Sequence, residues 1–337
     1  MEEKKEQTPA QKLREELFFA PKNGYDRLAA GEGEKIQTYC EGYKTFLDAG
    51  KTERECVDYA IVKAQAAGFR PLVRGEKLQP GDKVYRNNRG KSLLLAVIGQ
   101  EGLDQGAVIG AAHIDSPRLD LKQNPLYESD ELGFFKTHYY GGIRKYQWVT
   151  IPLELHGVVA LKNGEVVRVS VGNGPDDPMF TIDDLLPHLA TDQVKKPLGE
   201  AIPAESLNIL VGSRPLRDDE GSDRVKLSVL ELLNRKYGIV EEDFISAELS
   251  AVPAFRASDV GFDRSLIGAY GHDDRVCAYA SLAAILQLND PGAHCGVYAG
   301  GQGGDRLRGG HWHEIRRLRH LYGGSVPEPE RAPAGLL

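Results

Sequence analysis

The apolar positions divide the chain into a helical start and later strand-like runs. Over residues 34–50 they recur three and four positions apart and end at a glycine, which predicts an amphipathic helix. A capping-box pattern predicts a second helix over residues 53–67. Residues 93–98 and 107–112 are apolar runs flanked by glycine, which is typical of buried strands in a sheet.

Beyond residue 118 the pattern changes to short strand-like pieces separated by Gly, Pro and Asn turns. These pieces predict a β-rich insert over residues 119–244, with one amphipathic helix over residues 224–237. A strand over residues 244–252 and an apolar helix over residues 276–288 follow. The order predicts an α/β fold, in which a mixed sheet flanked by helices is interrupted by the insert.

Composition and charge narrow the class of protein. The chain has 337 residues, 41% hydrophobic and 27% charged, which predicts a globular protein of one large or two smaller domains. The net charge of −7 gives no electrostatic reason to expect a nucleic-acid partner. The four cysteines lack CxxC spacing and are interpreted as free thiols in a reducing compartment. We expect a cytoplasmic protein with no membrane partner, because no signal-peptide pattern and no run of roughly 20 apolar residues occurs.

Candidate chemistry is concentrated where the second apolar strand ends. His113 follows that run directly, and Asp115 lies two residues later. In an extended chain, residues two apart face the same side, so Asp115 can orient a metal-binding His113 ring. The alternative is a structural histidine that makes one hydrogen bond beside a turn carboxylate.

A second motif, Gly-His-Asp-Asp-Arg over residues 271–275, precedes the last predicted helix. Paired carboxylates at a helix start can simply cap its free N–H groups. Together with His113, however, these paired carboxylates have the chemistry of a bridging ligand. Two metal ions about 3.5–4 Å apart need such a carboxylate, and the pair can generate a hydroxide and polarise a carbonyl.

Several segments resemble the aspartyl aminopeptidase family of zinc metallopeptidases, which includes the vacuolar aminopeptidases. The segments are AHIDSPRLD at residues 112–120, KTHYYGG at 136–142, LNILVG at 207–212, DVGFD at 259–263 and GHDDR at 271–275. Tyr-Tyr-Gly-Gly at residues 139–142 is interpreted either as a binding loop or as a glycine turn flanked by packed tyrosines.

The resemblance implies a site, a substrate class and an assembly. His113 would bind one metal, Asp115 would orient it, and Asp273 would bridge two zinc ions, with manganese or cobalt as alternative metals. The substrates would be peptides that lose an N-terminal, commonly acidic, residue, and the protein would form a large homo-oligomer. His188 falls where some members present an insert-domain histidine to a neighbouring active site.

The same resemblance implies the domain plan. Residues 1–118 and 245–291 would form the two parts of the catalytic domain, and residues 119–244 would serve assembly and substrate access. The family follows its bridging aspartate with a buried strand that ends in a Glu-Glu pair, the first Glu a general base and the second a metal ligand. No such pair follows Asp273 here. Instead, a glycine-rich stretch begins near residue 292, with neither a strand nor a helix pattern.

A shift of reading frame explains this departure. Codons for residues 293–308 can be chosen so that the same bases, read one position later, encode HTAVCMLVDKEEIGS. This sequence is an apolar strand that delivers the missing Glu-Glu pair. We therefore hypothesise a one-base frameshift near codon 292, which makes residues 292–337 an out-of-frame, disordered tail. The catalytic domain would lack its C-terminal part, and this chain would be inactive.

Two other functions stay open for the sequence alone. One is a catalytically dead homologue that acts in assembly or binding through its insert. The other is a different two-metal hydrolase, such as a deacylase, built on a similar core. Neither alternative carries motifs of its own, so the aminopeptidase hypothesis leads.

Overall fold

The computed structural model describes residues 8–217 and 220–301. Two compact units divide the chain, the first ending at Tyr43 and the second beginning at Lys44. The helices are α1 (Pro9–Leu17), α2 (Glu32–Ala49), α3 (Glu53–Ala66), α4 (Leu198–Ala201), α5 (Arg224–Tyr237) and α6 (His272–Leu286). The strands are β1 (Arg70–Pro71), β2 (Lys83–Asn88), β3 (Ser92–Val97), β4 (Ala107–His113), β5 (Arg118–Ser129), β6 (Leu132–Tyr140), β7 (Leu153–Ala160), β8 (Val166–Val171), β9 (Ile209–Gly212), β10 (Glu248–Pro253), β11 (Ser258–Val260), β12 (Leu266–Gly268) and β13 (His294–Gly300).

The first unit contains α1 and most of α2. Thr8 begins α1 with a capping box, in which its side chain accepts from the Gln11 N–H and Gln11 bonds back to the Thr8 backbone. No residue of α1 is buried, so local hydrogen bonds define its start. Neither these nor the other described helices combine the length and apolar content needed to cross a membrane.

The first sheet of the second unit has the strand order β1-β2-β3-β13-β4. Every residue of β3 is buried, which confirms the buried strand predicted for residues 93–98. The prediction of a second buried strand over residues 107–112 is wrong in one respect. The strand forms as β4, but it lies at the edge of the described sheet, and Val108 is 65% exposed. Helix α6 packs on β4 and β13.

The prediction that everything after residue 292 is a disordered tail is wrong for residues 294–300. These residues form β13, which pairs antiparallel with β3 and parallel with β4. Main-chain hydrogen bonds do not depend on side-chain identity, so a sequence without a strand pattern can still complete a sheet between two neighbours. Buried Val297 packs from this strand into the core. The rest of the predicted tail, residues 302–337, lies outside the described residues.

The second sheet has the order β8-β7-β10-β5-β6-β9 and contains most of the predicted β-rich insert. Its core consists of apolar side chains from the strands and from α5, which covers β6. The sheet extends past residue 244, the predicted end of the insert, because β10 pairs with both β7 and β5. Sheets flanked by helices confirm the predicted α/β class.

Buried charged side chains join the start of α3 to β7. His156 Nδ1 lies 2.7 Å from Glu55 Oε1, and Lys51 Nζ lies 3.3 Å from Glu154 Oε1. Burial lowers the pKa of His156, but hydrogen bonds and charge from Glu154 and Glu55 outweigh it and raise this pKa to about 9. Burial raises the pKa of Glu55, and the contact with His156 more than offsets it, so the net pKa is lowered. His156 and Glu55 are therefore both charged at neutral pH.

This network makes stability depend on pH. Because folding raises the pKa of His156 from 6.5 to about 9, its contribution to the free energy of unfolding is complete below pH 6.5 and is lost as the pH rises to about 9. Glu55 contributes fully to the free energy of unfolding when the pH is above its unfolded pKa of 4.5. This contribution is lost as the pH falls through its lower folded pKa. In urea unfolding, the stability advantage of wild type over His156→Gln is expected to shrink between pH 6.5 and about 9. A constant difference would contradict the assignment.

Candidate metal centre

Two of the predicted ligands meet where β4 ends and α6 begins. His113 is the last residue of β4, and its Nε2 lies 3.2 Å from Asp273 Oδ1. Asp273 has non-helical backbone angles, φ −91° and ψ 113°. The Asp273 carboxylate therefore stands apart from the regular turns of α6 and faces the His113 ring.

Asp115 lies on the other side of the same imidazole. His113 Nδ1 is 3.0 Å from the Asp115 carbonyl oxygen and 3.3 Å from Asp115 Oδ1. Neither oxygen carries a proton to donate, so both favour the tautomer with the proton on Nδ1 and leave Nε2 free to bind a metal. The structure thus brings together His113, Asp115 and Asp273, and their roles at a metal stay predictions.

The donors fit zinc in kind, since imidazole and carboxylate are its ordinary ligands. The number of donors is too small, because a catalytic zinc keeps three protein ligands and His113 and Asp273 supply two. Within residues 8–217 and 220–301, no group of three or more His, Cys, Asp or Glu side chains is placed to hold a metal ion. The Asp273 side chain is 94% exposed and that of His113 is 49% exposed. The described part of the chain therefore supplies two side chains of the predicted metal site, on one open side of it.

Three hydrogen bonds clamp the segment after His113 to the segment around Asp273. Ser116 Oγ donates to the Asp273 carbonyl at 3.1 Å, and Tyr270 Oη donates to the Pro117 carbonyl at 2.9 Å. Arg275 Nε donates to the Ile114 carbonyl at 2.9 Å. These backbone acceptors were not predicted, because a sequence pattern does not show which carbonyls lie near a distant side chain.

Arg275 is the centre of this clamp and is completely buried, with 0% of its surface exposed. Its Nη2 also donates to the Lys51 carbonyl at 3.0 Å, so the guanidinium joins three segments of the chain. Gly271 leaves room for it, since a Cβ there would lie 2.5 Å from Arg275 Nη1, and its φ of +92° also favours glycine. The arginine of the 271–275 motif is therefore structural.

A cleft of about 800 Å³ leads to Asp273. Its walls combine aromatic and apolar side chains with two arginines; they include Arg144, Trp148, Phe255, Arg256 and Tyr270. Neither arginine forms an ion pair with a described carboxylate; each donates instead to a neutral oxygen, of Tyr146 and Asn173 respectively. The cleft can therefore receive a partly apolar ligand that carries a negative charge.

His188 lies elsewhere, in an exposed turn between β8 and α4. Exposed leucines surround it in sequence, Leu185, Leu186 and Leu189. No contact joins it to His113 or Asp273 in the described parts of the chain. Its predicted role at a neighbouring active site stays a prediction.

Comparison with known proteins decides the family. The profile of the aminopeptidase I zinc metalloprotease (M18) family matches residues 46–295. The chain belongs to the M18 family. This confirms the resemblance drawn from the motifs, and the match ends close to the point where the glycine-rich stretch begins.

Members of the M18 family with high identity include a probable M18 family aminopeptidase 1 from Clostridium acetobutylicum. It is 50% identical over 284 residues, covering 83% of this chain and 61% of the relative. The crystal structure of an M18 aminopeptidase from Thermotoga maritima has a TM-score of 0.83 at 40% identity, covering 90% of this chain and 67% of that one. An S. cerevisiae aminopeptidase dodecamer shares the fold, with a TM-score of 0.64 at 18% identity, covering 87% of this chain and 68% of that one. The chain spans about three fifths of the length of the curated M18 relatives, 61% and 58% for the first two.

Proposed function

We propose that the complete protein is a metal-dependent aminopeptidase that removes the N-terminal residue, commonly an acidic one, from peptides. The observation that carries this proposal is the approach of His113 Nε2 to Asp273 Oδ1, 3.2 Å apart, beside a peptide-sized cleft in an M18 fold. The two cleft arginines supply positive charge for an acidic substrate.

His113 and Asp273 would hold zinc, with Asp273 as the bridge between two ions. When bound, zinc supplies Lewis-acid polarisation of a carbonyl and of the attacking water. Asp115 orients the His113 ring, and the Arg275 clamp fixes the distance between the two ligand segments. The cleft positions the peptide so that its N-terminal residue lies beside Asp273.

In this proposal the 337-residue chain is inactive, since residues 8–217 and 220–301 bring no third ligand to His113 and Asp273, and no Glu-Glu pair follows Asp273 in the sequence. The position of β13 supports the frameshift hypothesis. β13 is a seven-residue strand parallel to β4, with Gly300 paired to His113, so the chain leaves the strand beside the proposed ligand. In the alternative frame the apolar run TAVCMLV occupies these same positions, and Glu-Glu follows shortly after it. A Glu-Glu pair there would fall next to the site that lacks it.

A homo-oligomer is the second part of the proposal. The exposed Leu185, Leu186 and Leu189 are 54%, 64% and 69% exposed, and such apolar turns are typical of surfaces that bind another chain. They surround His188, which in the assembly would reach a neighbouring active site. The dodecamer seen for the S. cerevisiae aminopeptidase supports the homo-oligomer. The four cysteines are free thiols, which favours a cytoplasmic location.

One experiment tests the catalytic proposal. The reading frame is restored by deleting one base near codon 292, and both proteins are assayed on aspartyl, glutamyl and leucyl peptides with zinc. The frame-restored protein is expected to release the N-terminal residue and to lose activity with a chelator, whereas the 337-residue chain is expected to show none. Robust hydrolysis by the 337-residue chain would overturn its inactivity, and N-acyl hydrolysis without peptide hydrolysis would favour a deacylase.

A further inference from the structure

We propose that Tyr140 is a positioning residue for the metal ligand His113, acting through Asp115. The inference rests on the proposed function, since it concerns the same site. Tyr140 is the last residue of β6, in the second sheet, whereas His113 ends β4 in the first sheet. Tyr140 Oη donates a hydrogen bond of 2.7 Å to Asp115 Oδ2. The orientation of the ligand on one sheet thus depends on a side chain from the other.

The Asp115 carboxylate needs such a partner because it is buried, with 6% of its side chain exposed. Among the described residues, its Oδ1 accepts no hydrogen bond, and the Tyr140 hydroxyl is the donor to Oδ2. A phenol that holds one oxygen fixes the rotation of the carboxylate, so that the other oxygen faces His113 Nδ1 at 3.3 Å. Without it, the carboxylate is free to turn away from the imidazole.

The Tyr140 ring is itself held in place by Arg118. The Arg118 guanidinium lies over the ring, 4.4 Å from its centroid, and the two residues are register partners across β5 and β6. Ion pairs to Asp120 at 2.7 Å and to Glu53 at 3.3 Å fix the guanidinium in turn. Phenylalanine at position 140 would keep the ring contact and lose only the hydroxyl. Tyr140→Phe therefore tests the hydroxyl while the ring stays in place.

The first arm of the test uses the 337-residue chain with ¹⁵N-labelled histidine. His113→Gln identifies the His113 ring signals by their loss. Tyr140→Phe is expected to shift these signals, because the ring loses its fixed carboxylate partner, whereas Tyr139→Phe is the matched control and is expected to leave them in place. Matching circular dichroism spectra show that both variants fold. Superimposable His113 signals in wild type and Tyr140→Phe would overturn the proposal.

The second arm measures zinc dissociation constants of the frame-restored protein by competition with a chelator. Tyr140→Phe is expected to weaken zinc binding about tenfold, the usual effect of removing an outer partner of a metal ligand. Tyr139→Phe is expected to bind zinc like wild type. Unchanged zinc affinity in Tyr140→Phe would overturn the role of Tyr140 and leave the proposed function standing. If the wild-type frame-restored protein binds no zinc, the proposed function fails, and the histidine signals still decide whether Tyr140 positions His113.

Discussion

Replacing Asp273 by asparagine in the frame-restored protein is expected to lower kcat/KM for peptide hydrolysis on the order of 10³-fold, because it removes the carboxylate charge that we propose bridges two metal ions. The fold should be little affected. The Asp273 side chain is 94% exposed, and its carboxylate contacts His113 among the described residues. Asparagine has nearly the same shape but no charge. The measurement is kcat/KM beside zinc content and the midpoint of urea unfolding.

Asp274 provides the matched control, since it is the adjacent carboxylate of the same motif. Its side chain interacts with the Cys277 thiol and raises the pKa of that thiol, rather than facing His113. Asp274→Asn is therefore expected to retain zinc and most of the activity. Equal losses in the two variants would show that the acidic pair serves the start of α6 and that Asp273 is not a dedicated ligand.

The pairing of His113 with Asp273 was predictable from sequence for a physical reason. At the end of a strand and at the start of a helix, side chains can extend past the regular backbone hydrogen bonds. His113 lies at the end of β4, and Asp273 lies at the start of α6. The helices α3 and α5 were predictable because capping and periodicity are local signals. Their boundaries agree with the predicted ranges to within a residue.

Features that depend on distant partners were not predictable. The apolar sequence of β4 predicts burial, but burial needs a neighbour on both sides, and the described sheet ends at this strand. The composition of β13 predicts irregular chain, yet β3 and β4 offer it hydrogen-bonding partners on both edges. Tyr140 was interpreted as part of either a binding loop or a packed turn, and its bond to Asp115 crosses from one sheet to the other. Long-range pairing therefore accounts for these differences.

Arg275 belongs to the Gly-His-Asp-Asp-Arg motif of residues 271–275, and the structure buries its side chain completely. Arg275→Ala is expected to lower the free energy of unfolding by about 3 kcal/mol or more, which is large beside the total stability of most domains. The substitution leaves a cavity where a fully buried side chain was. It also leaves the Ile114 and Lys51 carbonyls without their donor, and each unsatisfied buried acceptor costs about 1–3 kcal/mol.

Arg256→Ala is the control for this change, because Arg256 is exposed and its side chain makes one hydrogen bond among the described residues, to the Asn173 carbonyl. It is expected to alter the free energy of unfolding by about 0.5 kcal/mol or less, as surface substitutions do. Urea unfolding of the 337-residue chain, followed by circular dichroism, compares the two variants. A loss below about 1 kcal/mol for Arg275→Ala would mean that water replaces the guanidinium at both carbonyls. In that case Ser116 and Tyr270 alone would hold the His113 and Asp273 segments together.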